Sequence, residues 1–127
     1  MNLTVLQEKY SIYKFRNDNT LPEWIYLSDF YSITKTKDEL SVIAVQNDFV
    51  SERFTCNKDW RILKITGPLD FSLIGIIADI STIMKDSKIS IFSISTYDTD
   101  YILVKQKDLK TAIIALTEKE HNVEIEK

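Results

Sequence analysis

Thr96, Tyr97, Asp98, Thr99 and Asp100 form the densest run of side chains able to do chemistry, with hydroxyls, a phenol and two carboxylates in succession. Carboxylates accept from ammonium or guanidinium groups, and hydroxyls both donate and accept, so the run suits a ligand with a cationic end. The same residue types build ordinary hairpins, and spacing alone leaves both uses open. Gly75, followed by Ile76, is the second candidate. It lies in an otherwise helical pattern, where glycine costs roughly 1 kcal/mol relative to alanine. A close approach is expected there, either of a ligand or partner backbone to the bare Cα or of the helix to a sheet. The helix start expected over residues 71–75 would offer N–H groups that hold a carboxylate without a basic side chain. Asp70 or Ser72 could equally cap it.

Catalytic chemistry is not expected. The chain has one histidine, His121, one cysteine, Cys56, and no phosphate loop of the G-x-x-x-x-G-K type. His121 lies among charged residues and reads as a surface side chain, and Cys56 as a buried or half-buried thiol. Asp98 and Asp100 imitate an acid–base pair or calcium ligands, but further oxygen donors at ordered spacing are missing. No catalytic residue, metal or cofactor is assigned.

Composition narrows the class. The 127 residues are 44% hydrophobic, enough for one ordinary core or two very small subdomains sharing one. A single cysteine allows no internal disulfide and fits a reduced, cytoplasmic setting. No signal peptide is indicated at the N-terminus, and the apolar runs are too short to span a bilayer, which needs ~20 residues. The net charge of −3, with scattered lysines, argues against nucleic acid as a partner.

The elements that must position these residues follow from periodicity. Residues 60–65 read as a strand ended by Gly67 and Pro68. Leu73, Ile76, Ile77, Ile80, Ile83 and Met84 recur at helical spacing over 71–84, with Asp79, Thr82, Lys85 and Asp86 opposite. Residues 89–95 alternate and 101–104 form a buried partner strand, giving a hairpin. Leu109, Ala112, Ile113 and Leu116 mark a second helix, with Asp108 near its positive end, and 121–125 close as a strand. This β-α-β-β-α-β order is ferredoxin-like, an antiparallel sheet with helices on one face. Earlier in the chain, residues 4–15, 30–35 and 40–45 read as strands, with a turn at 36–39 and room for only a short helix at 22–25. The N-terminal half is thus an abbreviated version of the second, with a soft boundary in the polar stretch 55–59. The expected division is 1–57 and 58–127.

The segments LKITGPLDFSLIGIIA at 63–78, ISIF at 89–92 and STYDTDYILV at 95–104, with DELSV at 38–42, carry a resemblance over nearly the whole chain. They resemble small bacterial proteins with two ACT domains, which are similar to each half of the eukaryotic arginine-sensing CASTOR proteins. The resemblance implies an α+β fold of two ACT units and a homodimer that supplies four. It also implies an amino-acid pocket between units, formed by Gly75, Ile76, Thr96, Tyr97, Thr99 and Asp100, with Ser41 and Val42 opposite. Thr99 stands where the CASTOR proteins carry an aromatic residue, so the ligand is left open among amino acids and similar small polar molecules. The function so implied is a regulatory, ligand-sensing module. The alternative is a protein–protein interaction or dimerisation module with no small ligand.

Overall fold

The computed structural model describes residues 1–17, 20–51, 54–66 and 75–127. In chain order the elements are β1 (Asn2–Val5), β2 (Tyr10–Phe15), a 3-10 turn (Glu23–Leu27), β3 (Ser32–Lys35), β4 (Leu40–Val45), α1 (Asp48–Ser51) and β5 (Thr55–Ile65). Then follow α2 (Ile76–Asp86), β6 (Ile91–Ser95), β7 (Asp100–Lys105), a second 3-10 turn (Gln106–Asp108), α3 (Leu109–Glu118) and β8 (Asn122–Ile125). The turn expected at Gly67 and Pro68, the caps at Asp70 and Ser72, and the helical positions Phe71 and Leu73 lie outside the described residues. The fold is mixed α+β, and the chain divides into two units, Met1–Gln7 with Trp60–Lys127, and Glu8–Asp59.

In the first of these, the strands run in the order β6-β7-β5-β1-β8. The β-α-β-β-α-β path read from the sequence is present as β5, α2, β6, β7, α3 and β8. Its first and last strands do not pair, because β1 stands between them. β1 is antiparallel to β5, with Leu3 opposite Ile65, and parallel to β8, with Leu3 opposite Val123. Strand alternation puts Leu3, Val5, Leu63, Ile65, Ile102 and Val104 on one face, where they pack with Ile80, Ile83 and Met84 of α2 and Ala112 and Leu116 of α3. These are the apolar positions that the helical spacing marks.

Both helices end on a left-handed residue that is not glycine. Lys88 has φ 59° and Glu120 φ 68°. The Ile89 N–H reaches back to Met84 O at 2.9 Å and the His121 N–H to Leu116 O at 3.0 Å, the bond pattern of a Schellman cap. The second cap carries the chain inward. His121, expected at the surface, is buried, and its Nε2 lies 3.1 Å from Asp79 Oδ2 on α2. A helix end turning back over its own last turn made an interior residue of one whose sequence neighbours are charged.

In the Glu8–Asp59 unit the order is β3-β4-β2, with β5 next to β2. The turn Glu23–Leu27 stands where the first helix of a full unit would be, and four-residue α1 stands for the second. This is the abbreviated form expected. Only Ile25 of the 3-10 turn is buried, so there is no apolar stripe to sustain a longer helix. Tyr13, Phe15, Ile25, Leu40, Val42 and Ala44 make the core, with Trp24 edge-on to Tyr13 at 5.1 Å between centroids.

Three boundaries differ from the sequence reading. Residues 4–15 form two strands, β1 and β2, in different units. The polar residues 55–59, where the soft boundary was expected, are the first five of β5. The division falls between Asp59 and Trp60, and residues 1–7 group with the later part of the chain, whereas the expected division at 57/58 kept them with the first. Asp59 takes φ 66°, and the Gln46 side chain holds it, Oε1 accepting the Asp59 N–H at 2.7 Å and Nε2 donating to Asp59 Oδ1 at 3.0 Å.

Two stability measurements check this packing. Leu3→Ala removes a buried side chain from an interior strand and is expected to cost about 2–5 kcal/mol in urea unfolding, while exposed Leu27→Ala stays within about 0.5 kcal/mol. Lys88→Gly relieves a left-handed backbone and is expected to add about 0.5–1 kcal/mol.

Candidate functional site

The chemistry-bearing residues of the later unit gather at one end of it for a topological reason. β5 and β6 are each antiparallel to β7, so they run parallel to one another. A parallel connection requires the intervening helix to run back the other way. The start of α2 therefore lies at the end where β5 and β6 finish and where the β6–β7 hairpin turns. Ile65, the last residue of β5, is directly opposite Asp100, the first of β7.

The hairpin is closed by Thr96, whose N–H and Oγ1 both donate to Thr99 O, at 2.8 and 3.0 Å. Asp100 is half-buried, and its Oδ1 accepts a hydrogen bond from Ser95 Oγ. One carboxylate oxygen is thus held by a hydroxyl on the neighbouring strand, which fixes the group without neutralising it. Tyr97 at the tip is 82% exposed. Asp100, Ser95 and Ile65 occupy register positions on the face of the sheet that the helices cover, as do Ile102 and Leu63.

Gly75 is not inside the helix, as the pattern suggested, but precedes its first residue. It has φ 87° and ψ 7°, and its carbonyl accepts the Asp79 N–H at 2.8 Å. The left-handed region that other residues tolerate spans φ of about 50–70°. Asp59, Lys88 and Glu120 fall within it, and Gly75 does not. A Cβ built on Gly75 would meet no atom of the described residues within 4 Å. Backbone conformation therefore requires this glycine, and of the two close approaches expected, packing of the helix on the sheet at this Cα is absent among the described residues. No side-chain hydrogen bond caps the helix at Gly75. Ile76 is half-buried and packs against the core below.

Ser41 and Val42 belong to the Glu8–Asp59 unit. Val42 is fully buried and paired on both sides, to Tyr13 on β2 and Ile33 on β3. Ser41 points to the opposite face and lines a cleft of about 280 Å³ with Ile12, Lys14, Glu39 and Thr55. The structure thus brings Gly75, Ile76, Thr96, Tyr97, Thr99 and Asp100 to one end of one unit and places Ser41 and Val42 in the other. Sequence reading passed over Ser95, the partner of Asp100, because a serine in an alternating strand carries no signal until the register is known. It also passed over Lys14 and Glu39. Cys56 is half-buried, and among the described residues no three His, Cys, Asp or Glu side chains converge as metal ligands.

A family model for the ACT domain matches residues 55–118, half of the chain. The chain belongs to the ACT-domain family. A second family model, for an N-terminal domain, matches residues 8–52. Among solved structures, an Agobacterium tumefaciens protein is similar at 29% identity and a TM-score of 0.90, over 99% of this chain and 93% of that one. Aspartate kinase from Synechocystis superposes with a TM-score of 0.70 at 15% identity, over 99% of this chain and 28% of the kinase. The ligand-free regulatory subunit of aspartate kinase from Thermus thermophilus gives 0.61 at 10%, over 87% and 92%. At these identities the kinase likenesses speak for the fold alone. No helix among the described residues is long and apolar enough to cross a membrane.

Gly75→Ala tests the backbone argument. The added methyl meets no atom of the described residues, the left-handed backbone makes the loss conformational, and about 1–2 kcal/mol of destabilisation is expected in urea unfolding. A loss indistinguishable from zero would show that the φ at this position is not held by the fold.

Proposed function

We propose that this ACT-domain protein is a ligand-sensing regulatory module that binds a free amino acid at the end of the later unit, and that it is not an enzyme. The observation that carries the reading is the pairing, at one end of an ACT unit, of the helix start at Gly75 with a hairpin whose Asp100 carboxylate is held by Ser95. The N–H groups of the first turn of α2 suit an α-carboxylate, because they carry the positive end of the helix dipole. Asp100, Thr96 and Thr99 suit an ammonium or cationic side chain. Ile76 supplies apolar surface between them. A second ACT unit provides the opposing wall in this reading, with the Ser41 hydroxyl as its polar contribution, and a homodimer supplies four units. The likeness to a regulatory subunit supports the regulatory part. Cytoplasmic location follows from the single cysteine and the amino-acid ligand.

A second reading, docking to another protein, draws on a different surface. Tyr26 and Leu27 on the 3-10 turn, Tyr31 just before β3 and Ile33 on β3 of the Glu8–Asp59 unit are exposed, with the two tyrosine rings edge to face at 5.5 Å. Contiguous exposed apolar groups of this kind mark interaction sites.

Thermal unfolding against the twenty amino acids, singly at millimolar concentration, separates the two. A ligand at ~100 times its dissociation constant adds about 2.7 kcal/mol and raises Tm by several degrees. The sensing reading expects a selective shift that Asp100→Ala abolishes while the variant itself stays folded. No shift with any amino acid would replace it with the docking reading.

A further inference from the structure

The cleft in the Glu8–Asp59 unit is built separately from the end of the later unit where Gly75 and Asp100 lie, and it has a chemistry of its own. Lys14 on β2 is directly opposite Ser41 on β4, and Ile12 is opposite Ile43. Strand alternation sets Ile12, Lys14, Ser41 and Ile43 on one face and Tyr13, Phe15, Leu40, Val42 and Ala44 on the other. The second set is the core of the unit. The first set reaches the cleft through Ile12, Lys14 and Ser41, and Tyr13 and Cys56 of the core side, with Asn57, complete its lining. The cleft holds about 280 Å³.

Two opposite charges line it. Lys14 is fixed at its Cα by the middle of a paired strand. Glu39 is fixed by the β3–β4 turn, where Thr36 Oγ1 accepts the Glu39 N–H at 3.1 Å and the Thr36 N–H donates to Glu39 O at 2.8 Å. Among the described residues the two form no ion pair with each other or with anything else, and the Ser41 and Thr55 hydroxyls have no side-chain partner. Half-buried Ile12 supplies the apolar floor.

We propose that this cleft binds a small zwitterion, its anionic group on Lys14, its cationic group on Glu39 and its short apolar part over Ile12. The volume falls at the lower end of ligand pockets, which run from ~300 to ~1,000 Å³, so the ligand is of amino-acid size. A simple anion would face the Glu39 carboxylate, and a simple cation the Lys14 ammonium. A neutral polyol would desolvate both charges and pair neither. A molecule with both charges satisfies each with a charge-assisted hydrogen bond and leaves the hydroxyls of Ser41 and Thr55 for its remaining polar atoms.

Amide chemical shifts of the whole chain, titrated singly with the twenty L-amino acids and with acetate and methylammonium, test the proposal. At least one amino acid is expected to move the amides of Ile12, Lys14 and Thr55 in a saturable way. Lys14→Ala and Glu39→Gln are each expected to weaken that binding by about tenfold or more. Both side chains are exposed, so the dispersed spectrum of a folded protein should remain in each variant. Shifts confined to Gly75, Ile76 and residues 96–100, or no shift with any amino acid, would overturn the proposal. So would saturation by acetate or methylammonium alone at the same concentration, or binding that both variants leave unchanged. Because the two sites have separate reporter amides, failure here and failure of sensing near Asp100 are distinguishable.

Discussion

The N-terminal strand β1 is the constraint on which the rest of the later unit depends. It takes the place beside β5 that the last strand of a four-stranded ferredoxin-like sheet would occupy, and β8 pairs with β1 instead. The Leu6 N–H donates to Ile62 O, the Thr66 N–H to Asn2 O, and the Glu126 N–H to Val5 O, so the first residues are bonded to strands more than fifty positions away. Leu3 and Val5 are buried in the core under α2 and α3. Without them β5 and β8 would present open ladders, and the helices would cover a sheet with a gap. Closing such long loops before the contacts can form is entropically costly and slows folding.

This arrangement sets the geometry at the end where Gly75 and Asp100 lie. β5 is held between β1 and β7, so Ile65 and Asp100 are fixed opposite each other and the hairpin has a rigid base. Against it the chain uses its rare glycine. Only two occur in the sequence, and three left-handed positions are filled by Asp59, Lys88 and Glu120, each at a φ that larger residues tolerate. Gly75 alone among the described residues needs more than that, at the point where α2 starts beside the hairpin. The left-handed residue Asp59 is supported by the Gln46 side chain, and glycine is kept at the φ of 87° that precedes α2.

Local patterns were readable. The buried face of α2, strand β4, the turn at Thr36 and the β6–β7 hairpin all follow from short-range periodicity and turn chemistry. What was not readable depends on long-range pairing. A run such as residues 4–15 has the alternation of one strand, and only the different partners of Leu3 and Tyr13 break it in two. The polar residues 55–59 read as a boundary because an exposed strand surface is polar in the way a boundary is. His121 looked like a surface residue because burial there is imposed by the α3 cap and by Asp79 on another helix. In the candidate site the hairpin residues were visible, but Ser95 and the pair Lys14 and Glu39 become neighbours of anything chemical only through register.

The most direct test of this account is native-state hydrogen exchange of the first strand. If β1 is an interior strand of the later unit, the amides of Leu3, Thr4, Val5 and Leu6 should exchange only with global unfolding, at the same free energy as those of Leu63 and Ile102. Exchange of those four amides on the fast time scale of a fraying terminus, with Leu63 and Ile102 still protected, would contradict it.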